Sequence, residues 1–149
     1  LKSIGRPPFS RRFWLKRRAI EHETLRLIEA FDVRTSGPDA PAGTLSGGNI
    51  QKLLLARELA LEPAVLVCNK PTAGLDVRTA QFVLHTLRAH ADAGNAVLLI
   101  SSELDELLET SDRIVVIFRG AIVHVTPREG ANVADIGRLM LTGSASVPA

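Results

Sequence analysis

Cysteine is almost absent from this sequence. Cys68 is the only one in 149 residues, so no internal disulfide can form, and a reducing compartment is compatible with the chain. No apolar run approaches the roughly 18 residues that a membrane-crossing helix needs. No signal peptide is evident at the start, and no internal repeat is present. The first residue is Leu1 rather than Met, which suggests a fragment or a processed start. Acid is missing from the first 18 residues, where Lys2, Arg6, Arg11, Arg12, Lys16, Arg17 and Arg18 supply seven bases. That leaves 11 bases against 16 acids in the remainder, a net charge of −5 there although the whole chain carries +2. Phe9, Phe13 and Trp14 interleave with the bases. Such an arm suits nucleic acid or anionic lipid. A solvated linker leading into a helix is the preferred reading, because no recognised nucleic-acid module follows.

What is present is material for a core. Hydrophobic residues make up 46% of the chain, which excludes a disordered polymer, and the length suffices for one domain. Gly5, Pro7 and Pro8 predict an irregular arm over residues 1–14. A helix is predicted from Leu15 to Ala30, with Ile20, Leu25, Leu27, Ile28 and Phe31 as an imperfect apolar stripe. Residues 35–43 read as a loop by composition. A second helix runs to Leu61, stopped by Pro63 and with Ile50, Leu53 and Leu54 as its apolar face. The runs Ala64–Cys68 and Ala96–Ile100 read as strands buried on both faces, as in a parallel sheet. Between them Ala80, Val83, Leu84 and Leu87 mark one face of a helix from Asp76 to Ala93, closed by Gly94. A short helix over 103–110, a hairpin turning at Arg119-Gly120, a last helix over 132–141 and a frayed tail from Gly143 complete the prediction. Alternating strands and helices argue for an α/β layer.

One stretch organises the rest: Leu45-Ser46-Gly47-Gly48-Asn49-Ile50-Gln51-Lys52. Ser46 is placed to cap a helix start. Gly47 and Gly48 allow close approach to the backbone. The free N–H groups and the positive end of the helix dipole suit a phosphate oxygen. An ordinary capped helix after a Gly-rich turn fits the octapeptide equally well. The context decides between them. An apolar strand follows, then Asn69-Lys70-Pro71-Thr72-Ala73-Gly74-Leu75-Asp76, then a second strand with Ser101-Ser102-Glu103 after it.

This order resembles the second half of an ATP-binding cassette (ABC) domain: signature, Walker B strand, D-loop, switch strand. The resemblance covers nearly the whole chain. Leu-Ser-Gly-Gly-Asn-x-Gln-Lys, Pro-Thr-x-Gly-Leu-Asp-Val and Ser-Ser-Glu-Leu look like the second cassette of tandem ATP-binding subunits that energise importers for simple sugars and nucleosides. It implies an α/β, P-loop-NTPase-like fold: a helical subdomain followed by the C-terminal part of a mainly parallel sheet. The implied divisions are a basic arm at 1–14, helical subdomain at 15–62, ATPase core at 63–142 and tail at 143–149. It also implies that Ser46, Gly47, Gly48 and Asn49 bind ATP held by a partner cassette, and that Leu75 and Asp76 form a D-loop contacting that partner. Asp76 reads as a helix cap as well, and the two roles are compatible.

The departures from the family pattern are as informative. No glycine here precedes a lysine, so the Gly-x-x-x-x-Gly-Lys-(Ser/Thr) phosphate loop is absent, and the family order would place it before Leu1. The acidic pair that ends an active Walker B strand is replaced by Asn69-Lys70. Asn69 lacks the charge that magnesium favours. Lys70 stands where a glutamate would polarise water, and a protonated amine cannot accept a proton. Lys70 as a phosphate-neutralising cation is a less economical reading. Ser102 falls where the switch histidine would be, while His22, His85, His90 and His124 lie elsewhere.

The resemblance therefore implies a peripheral transport ATPase subunit on the cytoplasmic membrane face. It would dock on permease subunits and use ATP and Mg2+ held mainly by a partner cassette. The chain alone is expected to be inactive. Two alternatives are a truncated cassette that only docks on a permease or partner, and an ABC protein acting on nucleic acid, which only the basic arm supports.

Overall fold

The computed structural model describes residues 5, 7–11 and 14–144. Lys2, Arg6, Arg12 and Phe13 of the basic arm, and the tail from residue 145, lie outside the described residues. Where the arm was expected to be irregular, strands β1 (Ser10–Arg11) and β2 (Trp14–Leu15) pair antiparallel, so the predicted helix starts two residues late. Helix α1 is Arg17–Ala30 and α2 is Gly47–Leu59. Then come β3 (Val65–Asn69), α3 (Val77–Asp92), β4 (Ala96–Ile100), α4 (Leu104–Thr110), β5 (Arg113–Phe118), β6 (Ala121–Pro127) and α5 (Val133–Thr142). Two 3-10 turns, Ala42–Thr44 and Arg128–Gly130, were not predicted.

Local signals explain most boundaries. Asp76 caps α3 by accepting the Thr79 N–H at 3.0 Å, and Asn132 caps α5 by accepting the Asp135 N–H at 3.1 Å. Gly94, at φ +91°, follows α3 in the left-handed region as a terminating glycine does. Gly143 takes the same role after α5 at φ +70°. Arg119 and Gly120 both have positive φ, the pairing that a two-residue hairpin turn requires.

Two cores result. Leu55, Leu66, Val83 and Leu87 join α2, β3 and α3, with Cys68, Val97 and Leu99 packed against them. Ile114, Val116, Ile136 and Leu139 join β5 and α5. Strands β3 and β4 are parallel, from Val65 beside Ala96 to Asn69 beside Ile100, and β5 and β6 are antiparallel.

Two expectations are corrected. The central strands are buried on one face, not both. Val65 (63%), Val67 (61%), Leu98 (54%) and Ile100 (45%) are exposed, because among the described residues no layer covers that side. On α2, Ile50 and Leu54 are also exposed, and the residues that bury are Lys52, Leu55 and Ala56. Ile50 and Leu54 instead line an apolar groove of about 330 Å³ against α1 and the following loop.

Among the described residues β4 and β5 pair with each other nowhere. Between them lies a cleft of about 900 Å³, lined by Leu99 of β4, Ile114 and Val116 of β5, and Leu87, Ile136 and Met140 of the helices. Arg88 spans its base, donating to Asp112 Oδ1 at 2.6 Å.

Candidate nucleotide-binding site

Ser46 occupies the N-cap position of α2 in extended conformation, as its sequence predicts, yet its side chain makes no capping bond. Its Oγ instead accepts from Asn49 Nδ2 at 2.9 Å. The other end of that amide, Oδ1, accepts the Arg34 backbone N–H at 2.7 Å. The first N–H groups of a helix have no intrahelical partner, and Ser46 does not cover them. Ser46 and Gly47 are exposed. These groups fit an anion, with the helix dipole aligned to favour negative charge.

The two signature glycines differ in surroundings. A Cβ at Gly47 would meet nothing within 4 Å. A Cβ at Gly48 would lie 3.2 Å from Thr79 Cγ2 and 3.3 Å from Thr79 Oγ1. Gly48 therefore lets α2 approach α3 of its own chain. Thr79 is held in turn by Asp76, whose Oδ2 accepts the Thr79 hydroxyl at 2.7 Å. These hydrogen bonds keep the Asp76 carboxyl below its ordinary range. The signature turn and Asp76 thus form one packed unit, while Leu75 is half-buried against the first core.

Lys52 is the functional-region residue that sequence reasoning passed over. It is 8% exposed. Its ammonium donates to Asp32 Oδ2 at 2.7 Å and to the Asp32 carbonyl at 2.9 Å, and it lies 4.8 Å from the centre of the Phe82 ring. The side-chain hydrogen bond from Lys52 holds the Asp32 carboxyl low. One buried lysine therefore joins α2, α3 and the segment leaving α1.

Asn69, Lys70 and Ser102 come together at the C-terminal ends of the adjacent parallel strands β3 and β4, the edge where open α/β sheets bind ligands. All three are exposed. Lys70 is held in the left-handed region at φ +47°, which costs a non-glycine residue about 1–2 kcal/mol. Its N–H donates to the Ile100 carbonyl at 2.7 Å, and its carbonyl accepts from Ala73 at 3.2 Å. Ser102 Oγ lies 3.4 Å from Glu103 Oε1. An amide, an ammonium and a hydroxyl do not fit a hard divalent cation, which favours carboxylate oxygens. Of the histidines, His90 Nε2 meets the Pro63 carbonyl at 2.9 Å, and His22, His85 and His124 are exposed. Burial pushes the Cys68 thiol above its ordinary range.

No family model matches the chain. Individual proteins do. The nucleoside import ATP-binding protein NupA of Lactococcus lactis is 40% identical over 144 residues, 97% of this chain and 28% of that protein. The ribose import ATP-binding protein RbsA 2 of Rubrobacter xylanophilus is 46% identical over 121 residues, 80% of this chain and 23% of that protein. The chain thus spans about a quarter of the length of the curated relatives it matches. Among solved structures, a dimeric ATP-binding cassette bound to ADP and Pi superposes with a TM-score of 0.68 at 19% identity. That match covers 83% of this chain and 53% of the cassette, and it shows the fold. The chain belongs to the ATP-binding-cassette family and is part of one cassette, similar in sequence to the ATP-binding proteins of nucleoside and simple-sugar importers.

Proposed function

We propose that this chain is the C-terminal part of the second cassette of a tandem ATP-binding subunit in an importer for nucleosides or simple sugars. Its role is to present Ser46, Gly47 and Gly48 to ATP held in the phosphate loop of a partner cassette. The exposed start of α2, with no side-chain cap on its first N–H groups, carries this reading. Phosphoryl transfer is driven by positioning and charge stabilisation. A hydroxyl and free N–H groups at a helix start supply both to a γ-phosphate. Asn69, Lys70 and Ser102 form the chain's own degenerate site. None of these three side chains accepts a proton from water as a carboxylate would. Magnesium in this arrangement is held by the partner.

The remaining divisions follow the same reading. Residues 15–62 serve as helical subdomain and residues 63–142 as ATPase core. Leu75 and Asp76 contact the partner cassette. The cytoplasmic membrane face is reached through permease subunits; among the described residues no helix is long and apolar enough to cross a membrane. A truncated cassette that only docks is the second reading, favoured by the exposed apolar faces of β3 and β4.

The test is ATP hydrolysis by the native gene product that carries this chain. Ser46→Arg is expected to lower the rate at least about a hundredfold, the scale of losing a preorganised donor. Lys70→Ala is expected to change it less than about twofold, because no step depends on that ammonium. A large loss from Lys70→Ala contradicts the degenerate-site assignment. An unchanged rate in Ser46→Arg contradicts the signature's role.

A further inference from the structure

We infer that Asn49 is a positioning residue, which aims the Ser46 hydroxyl at the phosphate and does not itself bind nucleotide. The inference rests on the proposed role of Ser46 and assigns Asn49 a function distinct from it. The chemistry of its two contacts fixes the orientation of the amide. A backbone N–H only donates, so the atom 2.7 Å from the Arg34 nitrogen is the amide oxygen. The other end is then the NH2 group, which also only donates, and it lies 2.9 Å from Ser46 Oγ. Ser46 is therefore the acceptor in that contact, and its own proton is left over.

Two consequences follow for the site. The Ser46 oxygen accepts from Asn49 and makes no capping bond to α2, so the N–H groups at the helix start stay available to an oxyanion. The hydroxyl proton, unused by Asn49, is free to donate to the same oxyanion. Asn49 spends one amide N–H on Ser46 and its amide oxygen on Arg34, both within the chain, and the residue is only half-exposed. Arg34 anchors the arrangement. It follows buried Val33 and lies two residues beyond Asp32, which Lys52 ties to α2. The direction of the Ser46 hydroxyl is thus set by the segment leaving α1.

A double-mutant cycle on ATP hydrolysis by the native gene product separates positioning from direct binding. Asn49→Ala is expected to lower kcat about fivefold, the scale of one hydrogen bond. In a Ser46→Ala background it is expected to cost nothing further. Asn49→Asp keeps the acceptor for Arg34 and so keeps the fold, which thermal melting checks. Its carboxylate takes the Ser46 proton instead of donating. A loss of about tenfold is expected at neutral pH, since the lost donor is joined by a charged competitor. That loss should shrink relative to wild type as pH falls and the carboxyl regains a proton to donate. Unchanged activity in both Asn49 variants overturns the inference, as does an Asn49→Ala loss that multiplies fully with that of Ser46→Ala. If Ser46→Ala itself changes nothing, the role of Ser46 fails first, and the inference falls with it.

Discussion

At the scale of residues, charge is used to join elements as well as to meet a ligand. Lys52 satisfies Asp32 and lies over Phe82, so α2, α3 and the segment leaving α1 share one ammonium. Asp32, Asp76 and Asp112 all have carboxyls held below their ordinary range, by Lys52, Thr79 and Arg88 respectively. A depressed carboxyl stabilises the fold above its unfolded pKa, and the benefit fades as pH falls through the folded value. The melting temperature should therefore drop as pH falls into and below the ordinary aspartate range near about 3.9. Asp32→Asn should flatten part of that acid limb. An acid limb identical in Asp32→Asn and wild type would show that the Lys52 pair contributes nothing.

At the scale of elements, periodicity made α3 and its core legible. Of the face marked by Ala80, Val83, Leu84 and Leu87, the last three are buried and Ala80 is half-buried. Leu87 is 1% exposed in the centre of the first core. Leu87→Ala should cost about 2–5 kcal/mol by leaving a cavity, measured by urea unfolding. A cost below about 1 kcal/mol would mean the site collapses around the deletion.

The misreadings have physical causes. A continuous apolar run such as Ala64–Cys68 carries no alternation, so the sequence cannot tell one buried face from two. On α2 the apolar stripe named Ile50 and Leu54, but the helix turns them toward an open groove and buries the stem of Lys52 instead. The β1–β2 ribbon is two residues per strand, too short to leave a pattern. At the site, the position of Ser46 at the helix start was legible from Ser-Gly-Gly. The diversion of its hydroxyl to Asn49 was not, because it depends on Arg34, fifteen residues away in sequence.

At the scale of the whole molecule, the three two-stranded sheets do not join among the described residues. The cleft between β4 and β5 is apolar on both sides, and each strand has an unpaired edge toward it. Unpaired edges and bare apolar faces are the surfaces that proteins ordinarily cover. Under the proposed function, further polypeptide of the same cassette covers this cleft. Amide exchange along β4 and β5 should then be fast in this chain alone and slow in the native gene product. Equal protection in both would show that nothing in the native gene product covers this cleft.

The central claim, that the chain works as part of a tandem subunit, is tested most directly by the mass of the native gene product, detected with an antibody raised against these residues. Relatives of which the chain spans 28% or less predict a band several-fold heavier than 16.1 kDa. A band near 16.1 kDa would contradict the tandem account and favour a cassette fragment that only docks.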